Sequence, residues 1–279
     1  MMQLGIFAKT FATTGALPVL RAVADGGYTA AQFNMACLGL PSMPDSIELG
    51  AARSVAKASG EAGVSIAAVS GTYNMIHPDR SVRVSGLARL EVLAASCADM
   101  GTRLITLCTG TRDAQDPWRW HPDNASEAAW SDLRTEMEAA IAIAERFDIE
   151  LGIEPELANV VSSARAARRL LDEMNSARLR IVLDPANLFE VADSAERHRL
   201  IDEAVDLLAA EIGMAHAKDR NADGSFAAAG QGVVDFPHFI GCLRAAGFDG
   251  PLITHGLTEA EAPGVGAFLR NVLEASDDT

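Results

Sequence analysis

The sequence predicts a single (β/α)8 TIM barrel over residues 1–279, on three observations. A short apolar run recurs eight times, near 3–8, 28–34, 64–70, 103–108, 149–154, 179–184, 212–217 and 251–255. A helical segment follows each run, so the period alternates between strand and helix along the chain. No glycine-rich dinucleotide fingerprint follows the first run, which leads into KTFATTGALP. An open doubly wound sheet would usually place one there, so the closed barrel is the better fit to this length.

The elements follow in order. The breaks between helix and strand read ADGGYTAAQF, SGEAGVSIAAV, CADMGTRLITL, ERFDIELGI, AEIGMAHAKD and RAAGFDGPLIT. In most of them a glycine falls where a helix needs a left-handed C-terminal residue. Trp130, Leu133, Met137, Ile141, Ala144 and Phe147 recur at steps of three and four, giving one apolar helix face. Asp235 with Pro237 reads as the capped start of another helix, closed by Gly247. Long connections follow strand three (GTYNMIHPDRS), strand four (TGTRDAQDPWRWHPDN) and strand seven (KDRNADGSFAAAGQGVVD). Chemistry in such barrels sits where strands end and these loops begin, and long loops there usually serve function.

Composition bounds the partners. A formal net charge of −15 argues against a phosphate-backbone ligand, because nucleic-acid affinity needs clustered Lys and Arg. No run is long enough to cross a bilayer. The start, MMQLGIFAKTF, is read as lacking a signal peptide, and the four scattered cysteines as reduced core thiols. The expectation is a cytoplasmic protein with a small-molecule partner; homo-oligomerisation is left open.

Residues 151–160, LGIEPELANV, end an apolar run on Glu154 just before Pro155. A buried carboxylate is costly unless something positive meets it. The next strand ends at Asp184, the next at His216 and the last at His255. Neighbouring strands lie about 4.8 Å apart, so these four side chains can converge. Each alone has a plainer reading, as an ion-pair partner, a helix cap or a core histidine; together at successive strand ends they favour one shared divalent ion. Two carboxylates and two imidazoles suit Mn²⁺ first, then Zn²⁺, Co²⁺ or Fe²⁺.

The segments GIEPE, VLDPANL, HAKDR and GPLITHGL, with AAGQGVVDF before helix seven, resemble the strand-end signatures of the sugar phosphate isomerase/epimerase family, among the xylose isomerase-like barrels. The resemblance covers nearly the whole chain. It implies a metal at Glu154, Asp184 and His216, and hydroxy-carbonyl substrates bound through it. One position departs: the family usually carries glutamate where this chain has His255. In the family's epimerases that glutamate works opposite the strand-five glutamate.

The expected chemistry is proton abstraction next to a metal-bound carbonyl of a sugar, sugar phosphate or keto-polyol. Glu154 is the first candidate base by resemblance, and His255, with an unperturbed pKa of about 6.5, the alternative. Lys218 can neutralise a substrate oxygen, or simply pair with Asp219 or Glu190. Glu156 either points into the site or is a solvated loop acid. Asn187 can hydrogen-bond substrate, although capping the next helix is the stronger reading. His77, Arg112, Trp118 and Arg220 are the remaining candidate substrate contacts, with Trp120 and His121 beside them; Arg112 can grip a phosphate or carboxylate in bidentate fashion. Isomerase or epimerase leads. A lyase or dehydratase acting on a keto-sugar or keto-inositol follows, then a non-catalytic metal- or sugar-binding subunit. An endonuclease IV-like repair enzyme is disfavoured by six histidines and the strong acidity.

Overall fold

Eight parallel strands close into a barrel: Gln3–Phe7, Ala30–Phe33, Ser65–Ser70, Leu104–Cys108, Glu150–Glu154, Leu179–Leu183, Ile212–Ala217 and Pro251–Thr254. The first pairs with both the second and the last, so no edge is left open. This computed structural model describes residues 2–275. A helix follows each strand: α1 Ala16–Asp25, α2 Leu49–Ala62, α3 Arg80–Met100, α4 Glu127–Phe147, α5 Ala164–Met174, α6 Ser194–Leu208, α7 Phe236–Ala245 and α8 Ala262–Ala275. All eight strands fall within the expected runs. The second is shorter than expected, because Tyr28 leaves the sheet and its hydroxyl donates to Ala262 O at 2.6 Å.

The helix boundaries follow local chemistry. Gly63 and Gly101 close α2 and α3 with φ of 67° and 83°, a conformation open to glycine without steric cost. No glycine is available after α4 and α5, where Asp148 and Asn175 take the left-handed position instead. Asp235 caps α7 through His238 N, as its sequence position suggests.

Two apolar layers hold the barrel. The larger lies between strands and helices and includes Leu151, Ile153, Leu183 and the buried face of α4. The smaller fills the barrel interior with Ala30, Ala68, Leu104, Val182, Met214 and Ile253. Large and small residues alternate in it by necessity. A Cβ on Gly5 would sit 2.4 Å from Ile253 Cδ1, and one on Gly152 would sit 2.8 Å from Val182 Cγ2.

The long connection after strand seven is built around one carboxylate. Asp219 is fully buried and accepts from the backbone N–H groups of Arg220, Gly230, Gly232 and Val234 at 2.8–3.0 Å. Asp219–Arg220 also pairs antiparallel with Phe226–Ala227. Asp219 therefore anchors the loop and does not pair with Lys218. Each buried donor left without a partner costs about 1–3 kcal/mol. Asp219→Ala should lower stability by about 3 kcal/mol or more in denaturant unfolding; an unchanged midpoint would show that the loop does not depend on it. No helix among the described residues is long and apolar enough to cross a membrane. All four cysteines are free thiols.

Candidate metal centre and active site

Strand parity places the site. Successive side chains on a strand point to opposite faces, so a residue two places beyond an interior one also points inward. Val182, Met214 and Ile253 lie in the barrel interior, and Asp184, His216 and His255 follow each by two. Glu154 stands in the same relation to Gly152. Ligand atoms of these four residues all lie within 4.8 Å of one another. Glu154, Asp184 and His216 are buried, and the His255 side chain keeps 19% of its surface exposed at the mouth.

The local bonds leave defined atoms free. Asp184 Oδ1 accepts from Ala186 N at 2.9 Å, capping the turn Pro185–Asn187, so the plain capping role and the inward-facing role coexist. Its Oδ2 lies 3.0 Å from His255 Nε2, 3.4 Å from Lys218 Nζ and 3.9 Å from His216 Nδ1. Glu154 Oε1 accepts from Asn187 Nδ2 at 3.0 Å and lies 3.1 Å from His216 Nδ1. Asn187 thus holds Glu154 and caps nothing; α6 is capped by Asp193. Asn187 Oδ1 is buried beside the cluster without a hydrogen-bond partner among the described residues, an uncommon state for a buried polar atom.

Gln32, which sequence reasoning missed, decides the chemistry of His216. Gln32 Nε2 donates to Thr106 Oγ1 at 3.0 Å, and its Oε1 faces His216 Nε2 at 2.8 Å. His216 Nε2 is therefore the protonated nitrogen of the neutral ring. Its Nδ1 lone pair then points at two carboxylates, an arrangement that calls for a proton or a metal cation between them. Such orientation of a ligand histidine by an outer partner is a recurrent feature of metal sites. Gln32→Leu should lower divalent-ion affinity by about 10–100-fold with little loss of fold; equal affinity in equilibrium dialysis would remove Gln32 from the site.

Electrostatics point the same way. Burial pushes Glu154 up, but His216, Lys218 and His255 outweigh it and leave the carboxyl lowered. Burial likewise opposes ionisation of Asp184, and Lys218 and His255 hold it well below the usual range. Burial and the nearby Glu154 push Glu156 up to about 7, against the pull of Lys218. Burial lowers His216, yet the attraction of Glu154 raises it overall. Burial and the neighbouring His216 lower His255, which favours a neutral imidazole with an available lone pair. Three carboxylates facing one ammonium, Lys218, suit a divalent cation. The residues fit the ion that their types suggest.

A cavity of about 290 Å³ opens between the loops after strands three and four, lined among others by Asn74, His77, Cys108, Asp113 and Trp118. Cys108 Sγ lies within 4.8 Å of oxygens of both Glu154 and Glu156, so the cavity reaches the cluster.

Residues 20–269 match the xylose isomerase-like TIM barrel family. The chain belongs to that family. No curated protein sequence matches it. L-ribulose 3-epimerase is similar in structure, with a TM-score of 0.77 and 18% identity, covering 100% of this chain and 96% of that one. The 3-keto-D-glucoside 4-epimerase YcjR from E. coli gives 0.74 at 17% identity over 100% of both chains. The IOLI protein with a binding zinc atom gives 0.72 at 15% identity over 99% of both. At these identities the likeness is one of fold.

Within this xylose isomerase-like barrel the other expected residues divide. Lys218 reaches the cluster, 3.4 Å from Asp184 and 3.8 Å from Glu156, with its ammonium 4.2 Å from the centroid of the Phe226 ring. Glu156 is mostly buried against it, not solvated. His77 and Trp118 line the cavity; His77 Nε2 is 3.2 Å from Ala114 O, and Trp118 is 56% exposed. Arg112 is engaged elsewhere, donating to Ile76 O at 2.9 Å and to Asp132 at 2.7 Å. Arg220 donates to Ala186 O at 2.6 Å and to Gly224 O, tying loop seven to the end of strand six. His121 caps the turn Pro122–Ala125, and Trp120 is exposed.

Proposed function

We propose that this chain is a divalent-metal-dependent sugar isomerase or epimerase. The observation that carries the reading is the convergence of Glu154, Asp184, His216 and His255 at four consecutive strand ends. It is supported by the fold shared with an L-ribulose 3-epimerase, a 3-keto-D-glucoside 4-epimerase and a zinc-binding IOLI protein. When bound, a divalent ion polarises a carbonyl and its adjacent hydroxyl and so acidifies the carbon between them. Glu154, Asp184, His216 and His255 would hold it, with Mn²⁺ the first choice and Zn²⁺, Co²⁺ or Fe²⁺ the alternatives.

The chain's own groups supply the rest. Glu154 takes the proton from carbon and returns it, and His255, neutral at the mouth, is the second proton carrier. Lys218 stabilises negative charge developing on the substrate oxygen. His77 and Trp118 contact the sugar from the cavity wall. Arg112 and Arg220 each have two guanidinium nitrogens engaged by backbone carbonyls or Asp132, which favours an unphosphorylated sugar or keto-polyol over a sugar phosphate. We read the protein as cytoplasmic.

Glu156 favours a second reading. Its carboxyl lies 3.8 Å from Lys218 and close to Glu154, where an acid could protonate a departing hydroxyl. That would make the protein a lyase or dehydratase on a keto-sugar or keto-inositol. The test is elemental analysis of the purified protein, then ketose, aldose and keto-inositol panels with the ion found. A product of unchanged mass supports isomerisation, and a loss of one water supports dehydration. Metal bound without turnover on any sugar would leave a binding subunit. In the active panel, Trp118→Ala should raise KM several-fold, by roughly 1 kcal/mol of lost contact, with kcat and metal content little changed; an unaltered KM would place the tryptophan outside the substrate site.

A further inference from the structure

A second cluster of ligand-type residues lies on the outer wall of the barrel, away from the strand ends. Helices α6 and α7 each present a pair at the four-residue spacing that shares one helix face: His198 with Asp202, and His238 with Cys242. Asp202 Oδ1, His238 Nε2 and Cys242 Sγ form a triangle with sides of 2.8, 3.3 and 3.6 Å. A tetrahedral Zn²⁺ with Zn–S of about 2.3 Å and Zn–N or Zn–O of about 2.0 Å sets its ligands roughly 3.3–3.6 Å apart. The triangle is close to one face of that tetrahedron, and small side-chain shifts would complete it.

The ring of His238 is already oriented. His198 stacks on it with centroids 4.2 Å apart and planes 23° from parallel, and His198 Nε2 lies 3.0 Å from Asp235 Oδ2. Asp235 also caps α7 through the His238 backbone N–H, so one carboxylate holds the His198 ring and the start of the helix that carries His238. Asp202 is half-exposed and His238 partly so, which leaves an ion a path from solvent.

We propose that Asp202, His238 and Cys242 form a second, surface metal site for a borderline-soft divalent ion, Zn²⁺ foremost, clipping α6 to α7. Water fills the fourth position. On binding, the Cys242 thiol gives its proton to solvent and its sulfur bonds the ion; no electron is transferred. The thiolate and the Asp202 carboxylate together balance the dication. Burial and the carboxylates of Asp202, Asp206 and Asp235 push the metal-free thiol up to about 11, so the ion, not solvent pH, must drive its deprotonation. The clip would join the two helices on either side of strand seven and its long loop.

Co²⁺ titration of the whole purified chain tests this. The expected result is a near-ultraviolet thiolate-to-cobalt charge-transfer band that vanishes in Cys242→Ser and persists in Cys108→Ala. It should persist also in Asp184→Asn, which separates this site from the one at the strand ends. His238→Ala should weaken Co²⁺ binding at the band by about tenfold or more. Zn²⁺ should protect Cys242 from alkylation, read by peptide mapping. A wild-type protein without the band, or a band that survives Cys242→Ser, overturns the proposal and leaves a hydrogen-bonded triad on the helix surface.

Discussion

Asp184→Asn is expected to empty the strand-end site, lowering divalent-ion content by about one per chain at concentrations that saturate the wild type, with turnover falling to background. The substitution is chosen over alanine because of the two jobs of the carboxylate. An asparagine Oδ1 can still accept from Ala186 N and preserve the capped turn Pro185–Asn187. Only Oδ2 is lost as an anion, and it is the atom that faces His255, Lys218 and His216. A metal ligand must carry a lone pair of sufficient charge density, and an amide nitrogen supplies none. Stability should fall too, since Lys218 is then left buried with Glu156 as its remaining partner at 3.8 Å. Removing one partner of a buried pair costs about 3–5 kcal/mol. Adding Lys218→Met should recover most of that stability without restoring the ion, because the two residues are in direct contact and their effects are not additive. Dialysis with elemental analysis and urea unfolding measure the two effects separately. An Asp184→Asn protein that holds as many ions per chain as the wild type would mean that the four strand ends do not form the site.

The barrel was legible because its signal is periodic. Apolar runs of strand length, helices with one buried face and glycines at helix ends all point to the same alternation, and each is read within a short window. Glu154, Asp184, His216 and His255 were legible for a related reason: parallel barrel strands bring equivalent positions to one rim. The same logic contained Gln32, which follows interior Ala30 by two places as Asp184 follows Val182. It went unread because one polar residue in AAQF resembles an ordinary strand end until its facing residue, His216, is known. The engagements of Arg112 and Arg220 were hidden from the sequence for the opposite reason. Their side chains are long, and their partners are set by tertiary structure: Ile76 O lies 36 residues from Arg112, and Ala186 O lies 34 from Arg220. Asn187 was expected to cap a helix, but Asp184 and Asp193 cap the flanking turn and helix and release it to hold Glu154. The organising role of Asp219 depends on donors 11–15 residues downstream, folded back by the same loop that it orders. Local pattern fixes where chemistry is placed; it does not fix which long side chain is free to take part.

His255→Ala is expected to lower both ion affinity and turnover, each by at least about tenfold, the range seen when a metal site loses an ordering partner. The argument begins with position: the residue follows interior Ile253 by two, its Nε2 is 3.0 Å from Asp184 Oδ2, and its ring centroid is 4.4 Å from that of His216. The sequence resemblance implies glutamate here, and a histidine in its place makes the site one charge more positive. A more positive site holds less tightly to a dication through charge alone but draws more strongly on an anionic substrate oxygen. It also leaves Glu154 without an opposed carboxylate at the rim, so removal and return of the proton from one face, as in isomerisation or elimination, is expected to dominate over inversion at carbon. His255→Glu restores the opposed carboxylate. It should retain the ion, lose part of the native activity and shift the product mixture toward epimer, which chiral separation of the products would show. Its stability should suffer from a further carboxylate beside Asp184 and Glu154 until the ion is added, and recover on addition. A His255→Ala enzyme with wild-type metal affinity and full turnover would reduce His255 to a ring packed against His216, and the one-face argument would fall with it.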